Sequence, residues 1–148
     1  MSEMRDSLTV QAALLTELMS TAVNPVIREQ GLTPSLFELL STVHASDGHS
    51  SQIRLCERMG LTPPSFSEAV KAAAQRGLLE QLADPSDRRK KIIRITKAGK
   101  KKVEAVLRAT FDVDKSIREF ASESDLQHTL QTLKTVNLAL ARKVQENP

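Results

Sequence analysis

Leu61-Thr62-Pro63-Pro64-Ser65-Phe66-Ser67-Glu68-Ala69-Val70-Lys71 runs on to Gly77, then to Leu78-Leu79-Glu80-Gln81-Leu82. The charged string Asp84-Pro85-Ser86-Asp87-Arg88-Arg89-Lys90-Lys91 follows, and then Ile92-Ile93-Arg94-Ile95-Thr96-Lys97. Thr62 is a good helix N-cap, and Pro63 suits the first helical position, where a missing N–H costs nothing. Phe66, Ala69, Val70 and Ala73 recur at helical spacing and predict one buried face. Ser65, Glu68, Ala72 and Gln75 fall on the opposite side, open to solvent or to a groove. Gly77 is a natural stop. Leu78 to Leu82 and the β-branched Ile92 to Ile95 read as paired strands, with Asp84-Pro85-Ser86-Asp87 supplying turn chemistry between them. A capped helix beside a hairpin with a basic tip is the outline of a winged helix-turn-helix.

Upstream of this stretch, Ser50 or Ser51 caps a third helix with Ile53, Leu55, Cys56 and Met59 on its predicted inner side, closed by Gly60. Two short helices joined through a glycine turn express a helix-turn-helix. Before it, Thr33-Pro34 opens a second helix carrying Leu36, Phe37, Leu40, Val43 and His44, and Asp47-Gly48 marks a turn. Leu8, Ala12, Leu15, Met19, Ala22 and Val26 step by four and three, a seam that buries one helix against another. Pro25 lies inside this pattern and predicts a kink or interruption near Asn24. Downstream, Thr96 caps a helix with Val103, Val106, Leu107, Phe111 and Ile117 on its apolar side. Ser122 and Asp125 form a capping box. A last helix repeats the seam with Leu126, Leu130, Leu133, Asn137, Leu140 and Val144.

The predicted fold is mainly α with a small two- to three-stranded β-wing. The winged helix-turn-helix occupies about residues 33–99 of a single domain, 1–148, with terminal helices over about 5–30 and 100–146. Those terminal seams either fold back on the winged unit or pair with a second copy, and their length favours a homodimer.

Composition narrows the function. The chain has 148 residues, 40% of them apolar, but aromatics are only 3% and Trp and Tyr are absent, so aliphatic side chains must fill the core. The net charge of +3 is mild, yet Asp84 to Lys102 holds nine basic residues against two acids. Such concentration points to a polyanionic partner, where a solvated lysine-rich surface is the plainer alternative. No apolar run has signal-peptide or membrane-spanning length, and a single cysteine fits a reducing compartment, so a cytoplasmic location is expected. His44, His49, His128 and Cys56 show no metal-ligand spacing, which predicts no metal and leaves Cys56 as a packed thiol. No phosphate-cradling loop or activated nucleophile occurs, so no catalytic residue and no cofactor are expected.

In this order of elements the chain resembles the MarR family of bacterial transcription regulators. The resemblance is carried by Gly31-Leu32-Thr33-Pro34, by Leu55-Cys56-Glu57-Arg58-Met59-Gly60-Leu61 and by Arg76-Gly77-Leu78-Leu79. It is carried most strongly by Asp87-Arg88-Arg89 followed by Ile95-Thr96-Lys97-Ala98-Gly99, similar to the family's wing signature, with Ile95 where Leu is usual. The resemblance implies a dimeric binder of double-stranded DNA, acting as a ligand-responsive repressor, with the N- and C-terminal helices as dimerisation helices. It places Ser65, Ser67, Glu68 and Lys71 in the major groove and Arg89 in the minor groove. Asp87 would orient the wing through an ion pair, and Arg88 and Lys90 would add phosphate contacts. Ser51, Gln52 and Arg54, at the start of the third helix, would meet phosphate. A small, often aromatic effector is implied between the dimer helices and the winged unit.

Two positions depart from the family pattern. Glu68 stands where many relatives have Arg, and Lys71 where an acid is common. Glu68 either reads a base or pairs with Lys71 on the helix surface. If it blocks DNA, the alternative function is a protein-interaction module that has lost specific DNA binding.

Overall fold

The computed structural model describes residues 7–87 and 90–146, with no side-chain description over 144–146. The expected roles of Arg88, Arg89 and the Val144 side chain therefore lie outside the described residues. Contacts divide the chain into two units, one through Thr110 and one from Phe111. The first holds α1 (Leu8–Glu29), α2 (Pro34–His44), β1 (His49–Ser51), α3 (Gln52–Met59), α4 (Pro63–Gln75), β2 (Leu79–Ala83), β3 (Lys91–Ile95) and most of α5 (Lys97–Ile117). The second holds the end of α5 and α6 (Glu123–Glu146).

One string, Gly-Leu-Thr-Pro, occurs at 31–34 and again at 60–63, and each copy ends one helix and starts the next. Gly31 and Gly60 take left-handed φ of 67° and 61°, which only glycine adopts without strain. The following Leu amides then reach back to the helix, Leu32 N–H to the Ile27 carbonyl at 3.0 Å and Leu61 N–H to the Cys56 carbonyl at 3.3 Å. Thr33 and Thr62 accept from the amides of Leu36 and Ser65 at 3.2 and 3.5 Å, capping α2 and α4. Four residues thus satisfy a C-terminus and an N-terminus at each corner. The Cys56 thiol is buried and donates to the Leu61 carbonyl at 3.1 Å, tying α3 to the turn that leads into α4.

Three antiparallel strands form one sheet in the order β1-β3-β2, with Leu79 opposite Ile95 and Ser50 opposite Ile93. The hairpin was predicted; β1 was not located, since three residues reading His-Ser-Ser show no alternating pattern. The first wing strand begins at Leu79, one residue later than predicted. Gly77 and Leu78 are taken by the end of α4, whose Ala74 and Ala73 carbonyls accept their amides at 2.9 and 3.0 Å.

Phe66, Val70 and Ala73 of α4 are buried with Leu39, Leu40 and Val43 of α2, Leu55 of α3, Ile93 of β3 and Val103 and Val106 of α5. Leu39 belongs to this core although sequence periodicity favoured Phe37, which is half-buried. Ile53, predicted inside, is instead 63% exposed. On a helix of 3.6 residues per turn, Leu55, Cys56 and Met59 share one side, and position 53 falls more than a quarter-turn from it; Gln52 lies on the inner side. Of the kink or interruption expected at Pro25, the interruption does not occur, because α1 runs continuously through it. Proline removes only one helical bond there, while Ile27 is buried and Val23 and Val26 pack against the core, holding the turns on both sides.

The entry to α5 is the tightest point of this unit. Thr96 N–H donates to the Leu78 carbonyl at 3.1 Å, and the Thr96 hydroxyl faces the carbonyls of Gly77 and Leu78 at 2.7 and 3.2 Å. Thr96 Oγ1 accepts from Gly99 N–H at 3.1 Å. A Cβ on Gly99 would stand 2.3 Å from the Leu78 carbonyl oxygen. The Thr-x-x-Gly spacing is therefore a backbone lock between the end of α4 and the start of α5. In the second unit, the Ser122 hydroxyl accepts the Asp125 amide at 3.2 Å and donates to the Asp125 carboxylate at 2.6 Å, so α6 is capped with the carboxylate turned to the hydroxyl.

Gly99→Ala is expected to cost about 1–3 kcal/mol, the usual range for forcing a methyl into a packed site. Urea unfolding at matched protein concentration measures it; a variant as stable as the wild type would show that the approach at Leu78 is loose.

Candidate nucleic-acid interface

The four residues expected on α4 behave as one face. Ser65, Ser67, Glu68 and Lys71 are all exposed, while Phe66, Val70 and Ala73 hold the other side of the helix in the core. Ser65 is partly engaged at home, its hydroxyl lying 2.9 Å from Thr62 Oγ1. Glu68 and Lys71 form no ion pair with each other among the described residues. Both charges on this face are therefore directed to solvent.

The start of α3 divides its three expected residues among different tasks. Ser51 is the N-cap, accepting from Arg54 N–H at 3.3 Å. Arg54 is exposed, and Arg58 follows one turn later on the same helix. Gln52 is half-buried and links three elements: its Nε2 donates to Ser67 Oγ at 3.1 Å, and its Oε1 accepts from Gln81 Nε2 at 2.9 Å. Sequence reasoning missed Gln81 and Arg58. Arg58 carried a usable signal, a second Arg four residues after Arg54; Gln81 carried none, since its role depends on strand pairing.

At the wing, Asp84 N–H donates to the Lys90 carbonyl at 3.0 Å and Lys90 N–H to the Asp87 carbonyl at 2.8 Å, which closes the turn. The Asp87 carboxylate stands 4.0 Å from Lys90 Nζ. Asp84 accepts from the Ser86 hydroxyl at 2.6 Å and the Ser86 amide at 2.8 Å, and these bonds, the hydroxyl first, hold its carboxyl below the ordinary aspartate range. Farther along the hairpin, Arg94 and Glu80 face each other across β2 and β3 and pair at 2.6 Å, so Arg94 is occupied on the sheet surface.

Between β1, α3 and the wing lies an open depression of about 1010 Å³. Arg54, Arg58, Lys90 and Lys91 line it, against Asp47 and Asp84. The residues expected to meet phosphate thus share one cationic groove with a wing lysine, and the Gln52–Ser67 bond joins this groove to the exposed face of α4. Among the described residues no group of three His, Cys, Asp or Glu side chains is placed to hold a metal, and no helix is long and apolar enough to cross a membrane.

A short helix, a glycine turn and an exposed second helix beside a β-hairpin define a winged helix-turn-helix. Residues 30–90 match the model of the MarR family. Solved structures agree on the architecture. A mutant of MepR from Staphylococcus aureus superposes with a TM-score of 0.78 at 18% identity, covering 90% of this chain and 97% of that one. CouR from Rhodococcus jostii, bound to p-coumaroyl-CoA, gives 0.73 at 22% identity over 89% of this chain and 92% of that one. A second MepR mutant, bound to an oligodeoxyribonucleotide, gives 0.64 at 19% identity over 90% and 98%.

Asp84 provides a direct check on the wing turn. Its carboxyl is depressed, so what it contributes to the turn is complete above the ordinary aspartate range and lost as pH falls through the lower folded value. Ser86→Ala should return the Asp84 titration midpoint toward the ordinary value in carboxyl-carbon NMR. An unmoved midpoint would mean that the Ser86 bonds are not made in solution.

Proposed function

We propose that this chain is a homodimeric, ligand-responsive regulator of transcription that binds double-stranded DNA and acts as a repressor. The observation that carries the reading is the exposed face of α4, with Ser65, Ser67, Glu68 and Lys71, set beside a groove lined by Arg54, Arg58, Lys90 and Lys91. Ser65, Ser67 and Lys71 read base edges in the major groove. Glu68 accepts from the exocyclic amine of cytosine, the return for placing a carboxylate near phosphates. Arg89 enters the minor groove, Asp87 orients the wing, and Arg88 and Lys90 add phosphate contacts. Ser51, Gln52 and Arg54 meet a phosphate at the start of α3. The MepR mutant solved with an oligodeoxyribonucleotide supports the DNA partner, and CouR with p-coumaroyl-CoA supports a small aromatic-type effector.

The dimer rests on uncovered apolar surface. On α1, Leu8, Leu14, Leu15 and Leu18 are between 46% and 58% exposed. On α6, Leu138 and Leu140 are 64% and 54% exposed, and Phe111 and Phe120 are open as well. Stripes of this length bury against a second copy. Two-fold symmetry then sets the α4 helices about one DNA turn apart, roughly 34 Å, and the site is pseudo-palindromic.

The test is the salt dependence of duplex binding. Arg54→Ala, Lys90→Ala and Arg89→Ala should each weaken binding broadly and make the log–log salt slope shallower by about one unit. Affinity that does not respond to salt or to these changes contradicts the reading and favours a protein-interaction module. Glu68→Ala is expected to bind random duplex more tightly while losing about 1–3 kcal/mol of discrimination at one position per half-site. Full retention of base preference would leave Ser65, Ser67 and Lys71 as the readers. Light scattering should give a dimer mass; a monodisperse monomer would remove the two-fold model.

A further inference from the structure

The chain of side-chain amides between the wing strand and α4 has a direction, and the direction fixes what Ser67 can offer a ligand. Gln81 sits on β2 opposite Ile93, whose side chain is fully buried, so its backbone is set by the sheet and the core. Gln81 Nε2 donates to Gln52 Oε1 at 2.9 Å. With its oxygen occupied, Gln52 turns its nitrogen to Ser67 and donates to Oγ at 3.1 Å. A serine hydroxyl has one proton and two lone pairs. Gln52 takes a lone pair, and Ser67's own proton cannot point at a nitrogen that is itself donating. The proton is therefore left for the exposed side of α4.

We propose that Gln52 and Gln81 are positioning residues that fix the polarity of the Ser67 hydroxyl, so that Ser67 reads DNA as a hydrogen-bond donor. This rests on the DNA-binding function proposed above and adds the class of base edge that Ser67 recognises. In the major groove a donor is accepted by N7 and O6 of guanine, N7 of adenine and O4 of thymine, and it is rejected by the amino groups of cytosine and adenine. The opposite amide orientation would draw Ser67's proton inward and leave only lone pairs for the groove. One orientation favours acceptor edges and the other favours amines. The relay also ties the wing to the reading helix, since the strand that carries Gln81 is the first strand of the hairpin.

The experiment uses the full chain and the duplex it selects from a randomised library. Affinities for that duplex and all its single-base variants are measured for wild type, Gln52→Glu, Ser67→Ala and the double variant, each checked for native circular dichroism. Glutamate at 52 accepts from both Gln81 and Ser67, which turns Ser67's proton inward. At one position per half-site the preference should shift about tenfold from an acceptor edge toward a base presenting an amine. Ser67→Ala should abolish preference at that position, and Gln52→Glu in the Ser67→Ala background should produce no shift. The added charge weakens every sequence alike, so the base preference, not the affinity, is the readout. A uniform loss with preference unchanged, or the same shift without Ser67, overturns the relay while leaving the DNA reading intact. A wild-type chain that selects no sequence overturns both.

Discussion

The Leu78 carbonyl is the point on which the winged unit turns. It accepts the Thr96 amide at 3.1 Å, lies within reach of the Thr96 hydroxyl, and touches the backbone of Gly99 so closely that a methyl there would stand 2.3 Å away. Leu78 is also the residue that closes α4, its amide bonded to Ala73. One residue therefore joins the end of the exposed helix, the start of the hairpin and the start of the long helix that leaves the unit. Hydrogen bonds net only about 0.5–1.5 kcal/mol each, but a buried carbonyl left without partners costs more. The constraint is geometric before it is energetic: hairpin and helix cannot shift independently while Thr96 and Gly99 hold that carbonyl.

A second layer of polar ties fixes the other edges of the same unit. Lys102 Nζ donates to the Gln30 carbonyl and an Arg76 guanidinium nitrogen to the Gly31 carbonyl, so the end of α1 is capped from α5 and from the last turn of α4. Cys56 holds the turn between α3 and α4, and Gln52 and Gln81 bridge α3, α4 and β2. These bonds consume groups that a reading by charge alone would have assigned to a ligand. Arg94 is spent on Glu80 and Arg76 on Gly31, whereas Arg54, Arg58, Lys90 and Lys91 line one open groove. Among the described residues, the fold thus sets Arg76, Arg94 and Lys102 to the scaffold and Arg54, Arg58, Lys90 and Lys91 to a common depression.

Much of this was legible because punctuation in the sequence is local physics. Thr62-Pro63 and Gly77 bound α4 to within a residue, and Phe66, Val70 and Ala73 marked its buried side. Ile95-Thr96-Lys97-Ala98-Gly99 pointed to the wing's return before its lock at Leu78 was visible. What escaped was set by tertiary partners. Strand β1 has no pattern of its own and exists because β3 offers an edge. Ile53 looked like core because it is apolar, yet the short α3 turns it outward. Pro25 allowed an interruption, yet α1 continues past it because the flanking turns pack on the core. The link from Gln52 to Ser67 and Gln81 had no signal either, because only the fold brings the three together.

The central claim is that the start of α3, the exposed face of α4 and the wing act as one reading surface. Hydrogen–deuterium exchange of the full chain, titrated with a duplex it selects, tests this most directly. Protection should rise in Ser51–Arg54, in Pro63–Gln75 and in the β2–β3 turn together, with half-maximal effect at one DNA concentration. Bound DNA that protects only one of these segments, or protects them at separate concentrations, would contradict it.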